Sequence, residues 1–160
     1  MALLLLAAAC GDSGGSIESS TGSKASPGRL RIPTQIVGLK VTPEKIPNGI
    51  EEIDRPYIDS IGLFSLREGD LLRATLQVTR FNRAARPKSD QFRKSIIGLL
   101  GSSKPDELKL GEETVFSTAG NQQNIFVWFE GKGAFVLSIH QDFEFPRTLL
   151  RRTLALNLQP

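Results

Sequence analysis

One segment of the chain, Leu71–Phe81, alternates apolar and polar side chains more regularly than any other. Its apolar and polar positions fall on opposite faces of an extended chain: Leu72, Ala74, Leu76 and Val78 on one, and Arg73, Thr75, Gln77 and Thr79 on the other. Such alternation predicts a β-strand with one face in a hydrophobic core and one in water. Strands of this kind are typical of antiparallel sheets.

Further strands are predicted on both sides of this segment. The turn Arg67–Asp70 joins it to a strand at Asp59–Leu66, and Gln35–Val41 is predicted as an earlier strand. Between them, the proline-rich stretch Thr42–Tyr57 is predicted to be an irregular loop. The later strands are predicted at Leu108–Leu110, Glu113–Ser117, Asn124–Glu130 and Ala134–His140.

Two of these later strands have additional signals. Phe126–Phe129 is apolar at every position, which predicts an interior strand covered on both faces. The segment Gly131-Lys132-Gly133 predicts a three-residue hairpin loop between the last two strands, because glycine adopts positive φ without strain.

Two helices are predicted. Ser89 is a suitable N-cap for a helix that runs to Leu100 and ends at Gly101. Pro146 is suited to the first turn of a second helix. Each helix has an apolar stripe at helical spacing, formed by Phe92, Ile96, Leu99 and Leu100 in the first and by Leu149, Leu150, Leu154 and Leu158 in the second.

The order of these elements predicts an α+β fold, an antiparallel β-sheet with two helices packed on one face. The layout over residues 35–158 is similar to that of the PsbP/Mog1-like α/β sandwiches found among secreted lipoproteins. This resemblance is one of topology and rests on no diagnostic motif.

The first ten residues form an apolar run that ends in the chain's single cysteine, Cys10. As a helix, Met1–Ala9 would be about 14 Å long, too short for a bilayer core of about 30 Å. An apolar centre followed by small residues is typical of a secretory signal peptide. Since no basic residue precedes the run, we expect translation to start upstream of Met1.

The sequence Ala7-Ala8-Ala9-Cys10 resembles the lipobox of bacterial lipoprotein precursors. The resemblance implies that residues 1–9 are cleaved as a signal peptide and that Cys10 carries a diacylglycerol thioether and palmitate-type acyl chains. It also implies attachment to the outer face of the bacterial plasma membrane. Two or three acyl chains make such attachment effectively permanent, whereas one chain holds only marginally.

A Gly/Ser-rich stretch follows the cysteine. Eleven of the eighteen residues from Gly11 to Gly28 are Gly or Ser, and Ile17 is the only large apolar one. Such a composition predicts a flexible linker with a random-coil reach of about 25 Å. Residues 10–28 are thus predicted to be the lipidated cysteine followed by this linker. Residues 29–160 then form a single domain of ordinary size.

The sequence offers little for catalysis or metal binding. A single Cys rules out an intramolecular disulfide. One Cys and one His also cannot supply a structural zinc site of the usual Cys/His type. Ser138, His140 and Asp142 would share one face of a strand, but same-face neighbours lie about 6.6 Å apart, too far for the hydrogen bonds of a catalytic triad. His140, Asp142 and Glu144 likewise lack the spacing of a metal site. We therefore expect no catalytic residues, no cofactor and no metal.

Basic residues are concentrated in one part of the chain. Between Arg73 and Lys104 there are eight bases and one acid, whereas Glu44 to Asp59 has five acids and two bases. This predicts a basic end and an acidic end of the fold. The predicted basic interaction patch consists of Arg80, Arg83, Arg86, Lys88, Arg93 and Lys94.

The basic patch suggests two kinds of partner. It could contact anionic lipid headgroups, at about 1 kcal/mol per base near the surface, or an acidic envelope component. Nucleic acid is not expected, because only Phe81 and Phe92 interleave with the bases and Phe92 belongs to a packing stripe. A solvated basic loop without any partner remains an alternative.

Together these features predict a lipid-anchored, extracytoplasmic binding or accessory lipoprotein that is not an enzyme and whose partner is undefined. In this hypothesis the water-facing side of Leu71–Phe81 and the basic patch contact the partner. The alternative is a lipoprotein that binds a small ligand in a cleft between sheet and helices. A large apolar pocket with convergent polar groups would favour the alternative, and a flat charged face would favour the first hypothesis.

The lipid anchor is directly testable. In bacteria fed a clickable fatty acid, we expect the wild-type chain to be labelled and Cys10→Ala to remain unlabelled, because the Cys10 thiolate is the nucleophile that accepts the lipid. Equal labelling of both chains would contradict the prediction.

Overall fold

A computed structural model describes residues 32–46, 57–83, 89–98, 100 and 105–156. The predicted signal peptide, Cys10 and the linker up to Gly28 lie outside these residues. So do Leu99, Gly101 and Leu158, which were predicted to pack in or end the helices, and Arg86 and Lys88 of the predicted basic patch.

The described residues form eight strands and two helices. The strands are β1 (Gln35–Ile36), β2 (Leu39–Glu44), β3 (Ile58–Glu68), β4 (Leu71–Phe81), β5 (Asp106–Leu110), β6 (Glu113–Gly120), β7 (Gln123–Glu130) and β8 (Gly133–His140). The helices are α1 (Ser89–Gly98) and α2 (Pro146–Leu154). One sheet contains all eight strands in the order β1-β2-β3-β4-β8-β7-β6-β5, and every neighbouring pair is antiparallel.

The prediction of an α+β fold with an antiparallel sheet is confirmed, with more sheet than helix. Strand β4 has the predicted bounds. Strand β7 is an interior strand, as its apolar sequence predicted. Strand β2 extends to Glu44, so the first part of the predicted Thr42–Tyr57 loop is strand, and residues 47–56 lie outside the description.

The first predicted strand, Gln35–Val41, is in fact a hairpin. Ile36 pairs with Leu39, and the two residues between them, Val37 and Gly38, have φ of 51° and 78°. Two consecutive positive φ values are the geometry of a type I′ turn, which usually has Asn-Gly or Asp-Gly. A β-branched residue at positive φ is strained, at a cost of about 1–3 kcal/mol. Val-Gly is therefore a poor sequence signal for this turn.

The hairpin between β7 and β8 is also tighter than predicted. Glu130 pairs with Gly133, so the turn has two residues, Gly131 and Lys132, and not three. Gly131 has φ of 56°, and this positive φ is where glycine is needed.

One face of the sheet carries the larger hydrophobic core. Its fully buried side chains come from strands on both sides of the sheet centre and include Leu66, Leu76, Val115, Leu137 and Ile139. Trp128 and Phe135, which pair across β7 and β8, stack with ring centroids 5.1 Å apart. Leu149 and Leu150 of α2 belong to the same cluster.

The prediction that both helices pack on one face is not confirmed, because they contact opposite faces. Ile96 of α1 clusters with Val127 and Val136, a cross-strand pair. Leu149 of α2 clusters with Leu137, the residue that follows Val136 and points to the other face. Strands β7 and β8 are apolar on both faces because both faces are covered.

The two ends of the sheet are named here after Arg73 and Arg80, which lie at opposite ends of β4. The Arg73 end is formed by the turns Val37-Gly38, Gly69-Asp70 and Asn121-Gln122 and by the β8–α2 connection, Gln141–Phe145. The Arg80 end is the opposite one, where β4 leads toward α1 and where the β5–β6 and β7–β8 turns lie.

The expected separation of charge between the ends stays a prediction, because Glu51, Glu52 and Asp54 lie outside the described residues, but one described acid of that segment lies at the basic end. Ile58 pairs with Phe81, and the backbone N–H of Asn82 donates to the carbonyl of Tyr57 at 2.9 Å. Asp59, counted with the acidic segment, therefore lies at the same end as Arg80.

Within the part of the chain that the structure describes, neither α1 nor α2 has the length and apolarity needed to cross a membrane.

The core makes a quantitative prediction. Leu137 is 0% exposed, whereas Leu71, at the edge of a turn, is 59% exposed. Leu137→Ala is expected to lower the free energy of unfolding by about 2–5 kcal/mol, because it removes buried methyl groups and leaves a cavity. Leu71→Ala, the matched control, should change it by less than about 0.5 kcal/mol. Urea unfolding measures both, and similar effects would contradict the assigned burial.

Candidate functional site

A cavity of about 320 Å³ lies at the Arg73 end of the sheet. It is open to solvent and is bordered by three connections: the β1–β2 turn, the start and end of the β3–β4 hairpin, and the β8–α2 connection. Its lining residues are Val37, Gly38, Leu39, Glu68, Arg73, Asp142, Phe143, Glu144 and Phe145. The volume is at the lower end of the range of about 300–1,000 Å³ that is common for small-molecule sites.

The backbone around the cavity is held by hydrogen bonds. The N–H of Val41 donates to the carbonyl of Thr34 at 2.9 Å, which fixes the β1–β2 hairpin. The N–H of Gln141 donates to the carbonyl of Gln122 at 2.8 Å, and the N–H of Phe143 donates to the carbonyl of His140 at 3.0 Å. The β8–α2 connection is thus bonded both to the neighbouring turn and to the end of its own strand.

A chain of charged side chains runs along one side of the cavity. Arg73 donates from Nε to Glu68 Oε2 at 2.9 Å and from Nη1 to Asp142 Oδ2 at 3.1 Å. The other oxygen of Asp142 lies 2.8 Å from Nδ1 of His140. The two carboxylates are more than half exposed, so these ion pairs contribute at most about 1 kcal/mol each to stability. Their main effect is to fix the position of the Arg73 guanidinium.

The sequence argument against hydrogen bonds among Ser138, His140 and Asp142 is wrong for one pair. Strand β8 ends at His140, so Asp142 lies beyond the regular strand and its carboxylate turns back to the imidazole. Ser138 is buried, on the strand face it shares with His140, and the described hydrogen bonds of His140 do not include one to Ser138. No nucleophile is therefore aligned with the pair in the described structure.

His140, Asp142 and Glu144 alternate along the chain and carry metal-ligating side chains. Within the described ranges, no group of three or more His, Cys, Asp or Glu side chains is arranged to hold a metal ion. The Asp142 carboxylate contacts His140 through one oxygen and Arg73 through the other.

Two aromatic rings contribute to the cavity wall. Phe143 and Phe145 have ring centroids 6.4 Å apart and an interplanar angle of 85°. Phe143 is almost fully buried, and Phe145 is 53% exposed. Glu144 lies between them in the chain and is exposed. Sequence reasoning missed this arrangement because nothing in the segment 143–145 resembles a motif.

The water-facing side predicted for β4 is only partly accessible. Thr79 is 3% exposed, and Thr75 and Gln77 are half-buried. Gln77 Nε2 donates to Thr79 Oγ1 at 3.5 Å. Arg73 has two carboxylate partners. This face is therefore less suited to contact a partner than its alternating sequence suggested.

The described members of the predicted basic patch lie at the Arg80 end and on α1. The exposed members are Arg83, Arg93 and Lys94. Arg80 is half-buried and interacts with another group of the protein. The guanidinium of Arg93 lies 5.3 Å from the centroid of Phe129, a cation–π contact. Phe92 anchors α1 against Tyr57 and Phe81, with ring centroids 5.3 and 5.2 Å away. A role of this patch in binding stays a prediction.

Comparisons with known proteins add no family: no protein-family model, no curated protein and no solved structure matches the chain. The likeness to lipoprotein precursors and to PsbP/Mog1-like sandwiches therefore remains a resemblance of motif and layout.

Proposed function

We propose that this chain is a lipid-anchored, extracytoplasmic binding protein, that it catalyses no reaction, and that the cavity at the Arg73 end is its binding site. The observation that carries the binding part is the cavity itself, about 320 Å³ in volume and lined by both charged and aromatic side chains. The cavity is smaller and more polar than the large apolar pocket expected for the small-ligand alternative. We favour that alternative because the face of β4, which the other hypothesis needs, is only partly accessible. The ligand lies at the end of the sheet and beside the start of α2.

The location rests on the first 28 residues. A signal peptide at residues 1–9 delivers the chain across the plasma membrane, and Cys10 becomes the lipid attachment point. The Gly/Ser-rich linker to Gly28 then carries the domain about 25 Å from the headgroups. Such a tether leaves the domain free to bind a solute from the extracytoplasmic space.

The construction of the cavity supports binding without a large rearrangement. Its walls belong to the β1–β2 hairpin, which the Val41–Thr34 hydrogen bond holds, and to the β8–α2 connection, whose Gln141 and Phe143 N–H groups are bonded. Leu39 and Phe143 close the buried side, and Phe145 leaves an apolar surface accessible. A preformed site loses less entropy when it binds than one that must be ordered by its ligand.

The side chains also support a role other than catalysis. Nucleophilic catalysis needs a nucleophile within about 2.6–3.2 Å of its base. Next to His140 the described structure has a carboxylate, Asp142, and that carboxylate is shared with Arg73. Glu68 and Asp142 are both paired with Arg73, as in a site that fixes charge in place.

Binding at the cavity can be tested with two matched variants. Phe145 and Leu71 are both exposed apolar residues at the Arg73 end, but only Phe145 lines the cavity. Small polar solutes are screened by ligand-observed NMR against the full chain in detergent micelles. For solutes that bind the wild type, the NMR response that reports binding should mostly disappear with Phe145→Ala. The response should persist with Leu71→Ala, because that side chain lies outside the cavity.

Two results would contradict the proposal. Either no solute of any charge class binds the wild type, or Phe145→Ala and Leu71→Ala reduce binding equally. The second result would place binding elsewhere on the Arg73 end.

A further inference from the structure

We infer that strand β5 is a self-association edge, along which two copies of this chain pair antiparallel about a two-fold axis at Leu108. The inference goes beyond the proposed function and depends neither on the cavity nor on the lipid anchor. Three observations support it: the open edge of β5, the direction of its backbone groups, and the charges that one register brings together.

The two edges of the sheet differ in what they leave accessible. At one edge, β1 covers the start of β2, and Pro43 in the rest of β2 has no N–H to donate. At the other edge, β5 pairs with β6 alone among the described residues, and four of its five residues, Asp106 to Lys109, are exposed. Strand β5 is therefore the edge to which a further strand can add.

The turn that follows β5 fixes which of its backbone groups face outward. Leu110 pairs with Glu113 across a two-residue turn, whose first residue is a glycine with φ of 68°. The pair that closes a two-residue hairpin exchanges both of its N–H···O bonds, and hydrogen-bonded pairs then alternate along the ladder. Leu108 and Leu110 accordingly bond to β6, whereas the N–H and C=O groups of Glu107 and Lys109 point to the open edge.

One antiparallel register with a second copy matches both the backbone groups and the charges. With Leu108 opposite the partner's Leu108, each Glu107 faces the partner's Lys109, which gives two opposite-charge pairs and aligns the outward backbone groups of both strands. A shift by one residue sets these groups opposite ones already bonded to β6. A shift by two residues places Glu107 opposite Glu107 or Lys109 opposite Lys109. Since opposite charges stabilise a cross-strand pair and like charges destabilise it, the register centred on Leu108 is favoured.

The side chain at the axis supports the same register. Leu108 is 37% exposed, although it lies opposite Val115, a fully buried residue of the larger core. A two-fold axis perpendicular to the sheet keeps the corresponding faces of both copies on the same side. The two Leu108 side chains therefore contact each other at the rim of the two cores, which removes apolar surface from water.

Other acids near this edge keep the association weak. The β5–β6 hairpin, Asp106–Gly120, has four acids and one base, Lys109. The Lys109 ammonium donates to Thr114 Oγ1 on its own chain and has two further donors for the partner's Glu107. In the dimer the two Asp106 side chains lie about 14 Å apart, beyond the screening length of about 8 Å at physiological ionic strength. Such a short interface is in the size class of transient contacts.

A disulfide at the axis tests the pairing. In the full chain with Cys10→Ser, Leu108→Cys should form a disulfide-linked dimer on oxidation, because directly opposite Cα atoms lie about 4.5–5.5 Å apart. Asp106→Cys is the matched control on the same face of the same strand. Its two copies lie about 14 Å apart, so it should give roughly tenfold less dimer. Non-reducing gel electrophoresis after oxidation at physiological ionic strength measures both.

Charge reversal identifies the register. In the Leu108→Cys chain, Lys109→Glu should slow crosslinking several-fold because Glu then faces Glu at both pairs, and Glu107→Lys should slow it because Lys then faces Lys. Both reversals together restore two opposite-charge pairs and should restore the rate, which a loss of folding would not do. Because the hairpin is acidic, a dimer governed by net charge alone would instead crosslink faster with Glu107→Lys.

Four results would overturn the inference. They are no disulfide dimer from Leu108→Cys, as much dimer from Asp106→Cys, crosslinking that Glu107→Lys does not slow, and no recovery in the double reversal. None of them bears on the cavity or on Cys10, which the solute screen and the lipid labelling test separately.

Discussion

The pairing of β4 with β8 holds the two halves of this fold together. Strands β1–β4 form one antiparallel meander and β5–β8 a second, and seven residue pairs from Ala74–Ile139 to Arg80–Gly133 join them. These residues are far apart in the chain, so closing the intervening segment costs conformational entropy. Burial of Leu76, Val78, Leu137 and Ile139 along the same two strands offsets that cost.

The same pairing assembles the cavity. Arg73 precedes the first residue of the ladder on β4, and Asp142 follows the end of β8, which places their side chains 3.1 Å apart. Glu68 enters from the hairpin that leads into β4, and Phe143–Phe145 from the chain that leaves β8. The charge and the aromatic surface of the proposed site therefore come from the two halves of the sheet and meet only when β4 and β8 are in register.

Local patterns predicted the strands well where alternation or uniform apolarity was strong. Strand β4 has the predicted bounds, and the interior position of β7 follows from its apolar sequence. The Val37-Gly38 turn was missed because its first residue has low propensity for positive φ. The placement of α1 and α2 on opposite faces depends on how β7 and β8 are covered, which periodicity within each helix does not reveal.

The site was harder to predict than the fold. Its residues come from three connections that are separated by up to about a hundred positions in the chain, and no short motif links them. The contact between His140 and Asp142 depends on where β8 ends, a boundary that the sequence does not fix to one residue. The expectation of separate acidic and basic ends does not hold for Asp59, because antiparallel pairing of β3 with β4 brings it to the end that holds Arg80.

The register of β4 against β8 is the most direct test of this account. Thr75 lies directly opposite Ser138, at a separation that a disulfide can span. In a Cys10→Ser background, Thr75→Cys with Ser138→Cys should oxidise to an intramolecular crosslink, detected by mass spectrometry of proteolytic fragments. Pairing Thr75→Cys instead with Val136→Cys or His140→Cys should give little crosslink. Preferential crosslinking to position 136 or 140 would show that the true register differs by two residues. In that register Arg73 and Asp142 would lie apart, which would contradict the assembly of the cavity.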